Sequence, residues 1–325
     1  MIDAPRGILK VGVLSNLRAG QRDSKIESVL GFLKGHPDVF RIETPDDLSV
    51  VPALSRMEAA GVEVLVLNGG DGTVQHAMTH LYGDAFPHWQ PWIAPIAGGR
   101  TNTIAKDFGG SHDPVRGLAD LLAANREGRL AERVCHRPVQ RVELAEGVHC
   151  GMFLGFGMLH RAVSLVHEIF PEGKARGTFG AGVVLTTLVA KAAFRPDSGG
   201  ILEQDRIRVT LDGHVMPCDH WRLAMTCTLQ RLFLGIRPFW GSEPAPVRAT
   251  FLEPKPKHMA RSAINILRGR PGPKVLPENG YHSHNVRELT AELDTGVILD
   301  GELFPPMPGR VVRVTALEGL RQLRA

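Results

Sequence analysis

Val62-Glu63-Val64-Leu65-Val66-Leu67-Asn68-Gly69-Gly70-Asp71-Gly72-Thr73 is the stretch on which the fold turns. Its first six residues are apolar at every position except Glu63 and include three β-branched valines. A run of that kind, closed by turn residues, predicts a strand buried on both faces of a parallel sheet. Helical spacing resumes at Val74, Ala77, Met78 and Leu81, so the glycine loop opens a helix. Glycines let the backbone turn left-handed and approach a ligand with no Cβ in the way. Exposed N–H groups and the positive end of the helix dipole then favour a phosphate. A tight turn that binds nothing also needs glycine. Asp71 tilts the reading to function, because a carboxylate in a phosphate cradle repels its ligand unless a metal or a proton bridges them. No Gly-Lys-Ser/Thr follows, so this is not a Walker A loop, and the spacing does not match GxGxxG.

Upstream, residues 8–14 form a short apolar run followed by the turn-prone residues 15–20, and Ile26, Val29, Leu30 and Leu33 recur at helical spacing. A helical stretch over 54–60 leads into the deciding strand. Downstream, residues 92–96 read as a strand that ends in a second glycine loop, Gly98-Gly99-Arg100-Thr101-Asn102. Strands alternating with helices predict an α/β domain with a parallel sheet over 1–132. Beyond it the texture changes. Residues 139–144, 150–155, 207–211, 221–228, 247–252, 288–293, 297–299 and 311–314 read as strands separated by Gly, Pro and Asp turns. Successive strands without helices between them predict an antiparallel β-sandwich over 133–315, with 316–325 packing back on the first domain.

A length of 325 residues suits two domains, and 43% hydrophobic with 22% charged residues is an ordinary globular profile. No apolar run approaches the roughly 20 residues that span a bilayer. The first ten residues show no signal-peptide core, so a cytoplasmic address is expected. Cys135, Cys150, Cys218 and Cys227 are widely spaced and read as reduced thiols rather than a zinc set. The formal net charge of +4 is compatible with an anionic partner such as ATP or an acidic membrane face, and equally with ordinary surface variation.

Residues 67–73 resemble the GGDGT signature shared by diacylglycerol kinases, sphingosine kinases, NAD kinases and phosphofructokinases. Pro95-Ile96-Ala97-Gly98-Gly99-Arg100-Thr101-Asn102-Thr103-Ile104-Ala105 resembles the second loop of the lipid-kinase branch, P-x-G-T-x-N-x-x-A. Ser15-Asn16-Leu17-Arg18-Ala19-Gly20 is similar to that branch's first-strand N-P-x-S-G turn, and Asp300-Gly301-Glu302 to its D-G-E turn. The four motifs stand in the family's order and cover most of the chain. The resemblance implies a bacterial diacylglycerol kinase-like phosphotransferase that uses ATP and Mg²⁺. It implies that Gly69, Gly70, Gly72 and Thr73 hold phosphates, that Asn16, Gly98, Gly99, Arg100, Thr101 and Asn102 line the nucleotide, and that Asp300 is general base on a lipid hydroxyl, with Glu302 beside it. Asp71 sits among the phosphates, where it suits Mg²⁺ or its waters.

Three departures stand out. Gln75-His76 replaces the family's Asn-Glu, Arg100 replaces a threonine and Leu17 replaces a proline. His76 puts a neutral or cationic group where relatives hold a carboxylate. An NAD kinase-like enzyme and a non-catalytic nucleotide- or lipid-binding relative remain as alternatives. The implied partner is a lipid at the membrane surface, with peripheral contact on the inner face and no nucleic acid. A homodimer is left open.

Other stretches carry weaker signals. Residues 181–194 are apolar nearly all round and suit either core or one wall of a lipid pocket. Residues 231–240 mix bulky apolar groups with two arginines, and suit the core or a headgroup zone. His282 and His284 read as surface histidines in a turn. The basic stretch 255–270 reads as a solvated face or one turned to anionic lipid.

Overall fold

The computed structural model describes residues 4–18, 24–45, 49–83, 85–99, 101–169, 204–232 and 235–325. Two compact units divide the chain, Met1–Pro138 with Leu317–Ala325, and Val139–Ala316.

In the first unit, β1 (Val11–Asn16), β2 (Phe40–Thr44), β3 (Val64–Gly69) and β4 (Trp92–Ala97) form a parallel sheet of order β2-β1-β3-β4. Every residue of β1, β3 and β4 is buried, which is why these strands read as continuous apolar runs. Among the described residues, α-helices lie between and after the strands: α1 (Ser24–Leu33), α2 (Val50–Ala59), α3 (Asp71–Tyr82), α4 (Thr103–Asp107) and α5 (Pro114–Arg126). Val11, Val13, Val64 and Val66 join Val29, Leu33, Leu118 and Leu121 in one core, so α1 and α5 cover that face. Gly12 turns to the other face. A Cβ there would come within 2.7 Å of Met57 Sδ on α2. Asp113 caps α5 by accepting from the amides of Val115 and Arg116, with Pro114 at the first turn. The chain's last residues rejoin this unit. Ile93 donates its amide to the Arg321 carbonyl and accepts from the Leu323 amide, both at 2.9 Å.

The second unit is antiparallel, as its strand spacing predicts. After β5 (Val139–Leu144), β6 (Gly147–Gly151) and β7 (Phe153–Phe156) comes α6 (Met158–Ile169). Then follow β8 (Asp205–Leu211), β9 (His214–Val215), β10 (His220–Trp221), β11 (Leu223–Cys227) and β12 (Val247–Leu252). Helix α7 (Met259–Leu267) precedes β13 (Tyr281–Val286), β14 (Glu288–Leu293), β15 (Val297–Leu299), β16 (Glu302–Phe304) and β17 (Arg310–Leu317). One sheet runs β10-β8-β14-β17-β5-β6 with β9 on β8, and the other β13-β12-β11-β7-β15-β16. Both contribute to a single core, with Ile207, Val209 and Leu289 from one and Phe156, Phe251 and Leu299 from the other. Alternation along β8, with Ile207, Val209 and Leu211 in and Arg206 and Arg208 out, is the period-2 signature of a half-buried strand.

The strand expected over 150–155 breaks at Met152, between β6 and β7. His282 and His284 belong to strand β13, not to a turn. His282 is buried, its ring edge-on to Trp221 and its Nε2 2.9 Å from Glu253 Oε1. Part of the basic stretch forms α7. The apolar residues 181–194 lie outside the described residues, as do 233 and 234 within 231–240. In the remainder of that loop Phe239 is buried, with the Arg248 guanidinium 5.0 Å from its ring centroid. All four cysteines are free thiols, and burial pushes Cys135 up to about 11 and Cys150 up to about 12.

Candidate functional site

Adjacent strands β1, β3 and β4 run parallel, so their C-terminal ends share one edge of the sheet, with Ser15 opposite Asn68 and Gly69 opposite Ala97. The chain steps from β1 outward to β2, then back past β1 to β3. That reversal lies between β1 and β3, where open α/β sheets leave a crevice beyond their strand ends. Asn16, the last residue of β1, donates from Nδ2 to Thr73 Oγ1 at 2.9 Å, and Asn68 donates to Ser15 Oγ at 2.9 Å. Both asparagines are buried.

The first glycine loop spans the end of β3 and the start of α3. Gly69 closes the strand, Gly70 is the N-cap, and Asp71, Gly72 and Thr73 form the first turn. Val74 is the first residue whose amide reaches a carbonyl of this turn, Gly70 O at 3.2 Å. The amides of Asp71, Gly72 and Thr73 therefore have no carbonyl of their own helix to bond. Gly72 is exposed, and a Cβ built on it meets nothing within 4 Å.

The second loop lies directly against the first. A Cβ on Gly99 would sit 2.3 Å from Gly70 Cα and 2.9 Å from Gly70 N, so the two backbones touch. Asn102 is buried, adopts the left-handed conformation (φ 51°), and folds its carboxamide back on its own loop. Its Oδ1 accepts from the Gly99 amide at 2.8 Å, and its Nδ2 donates to the Gly99 carbonyl at 2.7 Å and the Ala97 carbonyl at 3.3 Å. Asn102 thus shapes the loop through its whole side chain. Lys106 Nζ donates to the Thr101 carbonyl at 2.8 Å. Arg100 lies outside the described residues.

The sequence reading sets the Asp71 carboxylate against Mg²⁺ or its waters. In the structure both of its oxygens accept hydrogen bonds from the second loop and the start of α4. Oδ2 accepts from Thr101 Oγ1 at 2.7 Å and the Thr103 amide at 3.0 Å, and Oδ1 accepts from the Ile104 amide at 2.9 Å. A carboxylate on the first amides of α4 supplies the anion that a helix start attracts. The first amides of α4 are thus bonded by protein. His76 is half-buried on α3, one residue beyond Gln75, whose Nε2 donates to Thr79 Oγ1 at 3.2 Å.

In the second unit, Asp300 and Gly301 make the two-residue turn between β15 and β16, with Leu299 paired to Glu302. Both have positive φ, 47° and 102°, as the tight hairpin turn of Asp-Gly requires. The turn also presents a carboxylate. Asp300 Oδ2 accepts from the Met152 amide at 2.7 Å, Oδ1 accepts from the Phe153 amide at 2.9 Å, and the Asp300 amide donates to the Phe153 carbonyl at 2.9 Å. The break between β6 and β7 turns these two amides toward the aspartate. Glu302 is half-buried, and its Oε2 has no hydrogen-bond partner among the described residues. Local sequence carried no sign that Met152 and Phe153 hold Asp300, or that Ser15 and Asn68 brace the first loop. These contacts join residues far apart in the chain.

Residues 10–131 match the family model of the diacylglycerol kinase catalytic domain. This stretch of the chain is thus similar to the catalytic domain of diacylglycerol kinases. The match spans both glycine loops of the diacylglycerol kinase catalytic domain and stops short of the β-sandwich that carries Asp300. The fold of the whole chain is similar to that of a crystal structure described as a diacylglycerol kinase from Bacillus anthracis str. Sterne. Its TM-score is 0.60 at 18% identity, over 96% of this chain and 95% of that one. A second structure from the same organism, whose naming as a diacylglycerol kinase is itself provisional, has a TM-score of 0.67 at 19% identity with the same coverage. At such identities the likeness is one of fold. No curated protein matches the sequence.

Proposed function

We propose that this chain transfers the γ-phosphoryl group of ATP to the hydroxyl of a lipid, with diacylglycerol as acceptor and phosphatidic acid as product. The proposal rests on the start of α3, where the amides of Asp71, Gly72 and Thr73 have no carbonyl of their own helix to bond and Gly72 is exposed, beside the strand-order reversal. A glycine-rich helix start beyond the strand ends suits a polyphosphate. The family match over residues 10–131 supports a phosphotransferase.

Phosphoryl transfer needs positioning and charge neutralisation more than covalent chemistry from the protein. In the proposed reaction the γ-phosphorus bond to the bridging oxygen breaks, a bond to the acceptor oxygen forms, and ADP leaves. The acceptor proton passes to Asp300, whose carboxylate is oriented by the Met152 and Phe153 amides. Among the described residues no three His, Cys, Asp or Glu side chains gather as a metal cage, so Mg²⁺ is proposed to arrive on the phosphates of ATP, whose charge it would offset. Asn16 and the backbone at Gly69, Gly70, Gly98 and Gly99 would then shape the crevice, and Thr101 and Asn102 would hold the second loop in place.

Incubating the chain with labelled ATP and a panel of diacylglycerol, monoacylglycerol, sphingoid base and NAD tests the reading. Label in phosphatidic acid is the expected result. Label in NADP with none in any lipid would overturn it.

A further inference from the structure

Residues 253–278 hold six of the chain's lysines and arginines, Lys255, Lys257, Arg261, Arg268, Arg270 and Lys274, against two carboxylates, Glu253 and Glu278. The resulting net of +4 equals the formal charge of all 325 residues, so the rest of the chain is balanced. The basicity is concentrated in one place. All six cations are exposed, and none makes an ion pair among the described residues. Glu253 is turned to His282, which leaves Glu278 as the one outward carboxylate of the stretch.

Hydrogen bonds fold this stretch into a single surface. α7 turns Ser262, Ala263 and Ile266 inward and leaves Arg261, Ile264 and Arg268 outward, three residues at helical spacing on one face. The Arg270 amide donates to the Asn265 carbonyl at 2.9 Å, so the following loop returns along the helix. The Lys257 amide donates to the Asn279 carbonyl at 2.9 Å, which brings the two ends of the stretch together. The Arg237 amide donates to the Leu267 carbonyl at 2.8 Å and adds a seventh exposed cation beside the end of α7. Among these charges Ile264 is 61% exposed and Leu276 is 39% exposed.

We infer that this surface docks the chain on an anionic lipid bilayer, with Ile264 and Leu276 entering the headgroup boundary and the seven cations facing lipid phosphates. Charge complementarity selects an anionic partner, and the two apolar side chains among the cations select a bilayer over a nucleic acid. Residues 253–278 contain no Phe, Tyr or Trp on which a base could stack. The inference extends the reading of a membrane-borne acceptor proposed above, though docking itself needs no turnover.

Co-sedimentation of the full chain with phosphatidylglycerol–phosphatidylcholine vesicles, against phosphatidylcholine alone, is the test. The chain should pellet with the anionic vesicles and be released by salt. Arg261→Gln/Arg268→Gln/Lys274→Gln should weaken binding on the order of 100-fold, at a few-fold per cation. Ile264→Asp should weaken it about 10-fold through lost apolar insertion, while Arg261→Lys/Arg268→Lys should bind as the parent does. Turnover of a detergent-dispersed acceptor by the triple variant should be unchanged. Vesicle binding by a parent that phosphorylates no lipid would still support docking while removing the lipid-kinase reading. A triple variant that melts like the parent and still pellets equally would overturn the inference. So would a parent that ignores anionic vesicles and binds single-stranded RNA.

Discussion

Thr101 donates its hydroxyl to Asp71 Oδ2 at 2.7 Å, and this bond, with the two α4 amides on the same carboxylate, makes one unit of the two glycine loops. The aspartate of the first loop is thus the cap of the helix that follows the second. Asp71→Ala should leave two helix-start amides and a hydroxyl without their acceptor, at a cost of about 1–2 kcal/mol. Thermal unfolding should record that loss, and ATP affinity should fall with it as the second loop shifts. An unchanged melting temperature would show that the cap contributes nothing.

The two glycines nearest the loop contact separate packing from ligand approach. Gly99→Ala drives a Cβ into the Gly70 backbone and should destabilise the first unit by about 1–3 kcal/mol. Gly72→Ala meets no atom within 4 Å and lies inside a helix, where alanine is the better residue, so stability should hold or rise slightly. A marked loss of ATP affinity is nonetheless expected for Gly72→Ala, because the new methyl would stand where phosphate is proposed to lie. Calorimetric ATP titration on a variant of parental stability checks this. Undiminished affinity would remove Gly72 from the binding site.

Asp300→Asn should lower turnover by about 10²–10⁴-fold while ATP affinity stays within about 2-fold. The carboxamide nitrogen cannot accept from a backbone amide, so Met152 or Phe153 loses its acceptor and stability should drop by about 1–3 kcal/mol. Turnover and melting temperature are therefore read on the same sample. Retained turnover would take Asp300 out of the reaction.

His160 on α6 is buried, and its Nε2 has no hydrogen-bond partner among the described residues. Burial first, and then the charges of Arg161 and Arg310, hold its pKa below the ordinary 6.5, with Asp205 opposing. The native state thus keeps the ring neutral at pH values where the unfolded chain already binds a proton. Stability should rise with pH through that interval and fall on acidification below about 6.5. His160→Gln should flatten the acid side of a melting temperature–pH curve, and a curve of unchanged slope would show that His160 does not contribute to it.

Much of the architecture was legible in the chain itself. The burial of β3 on both faces appeared as five apolar residues in the six from Val62 to Leu67, and the half-burial of β8 as strict alternation. β12, β14 and β15 fall where residues 247–252, 288–293 and 297–299 predict them. β13 shows no apolar run, because its Tyr-His-Ser-His-Asn-Val sequence is polar at four positions, and its strand state depends on pairing with β12. α5 is announced by Asp113-Pro114, a cap and first-turn pair rather than an apolar period.

Local pattern thus set the alternation of helices and strands, the change from parallel to antiparallel texture, and the glycine loops at the ends of β3 and β4. Those features arise from near neighbours in the chain, whose spacing is written in residue order. The direction of each carboxylate was settled only by folding, since the amides that hold Asp71 come from 103 and 104 and those that hold Asp300 from 152 and 153. A side chain's partners depend on which distant backbone is brought beside it, and no spacing along the chain records that.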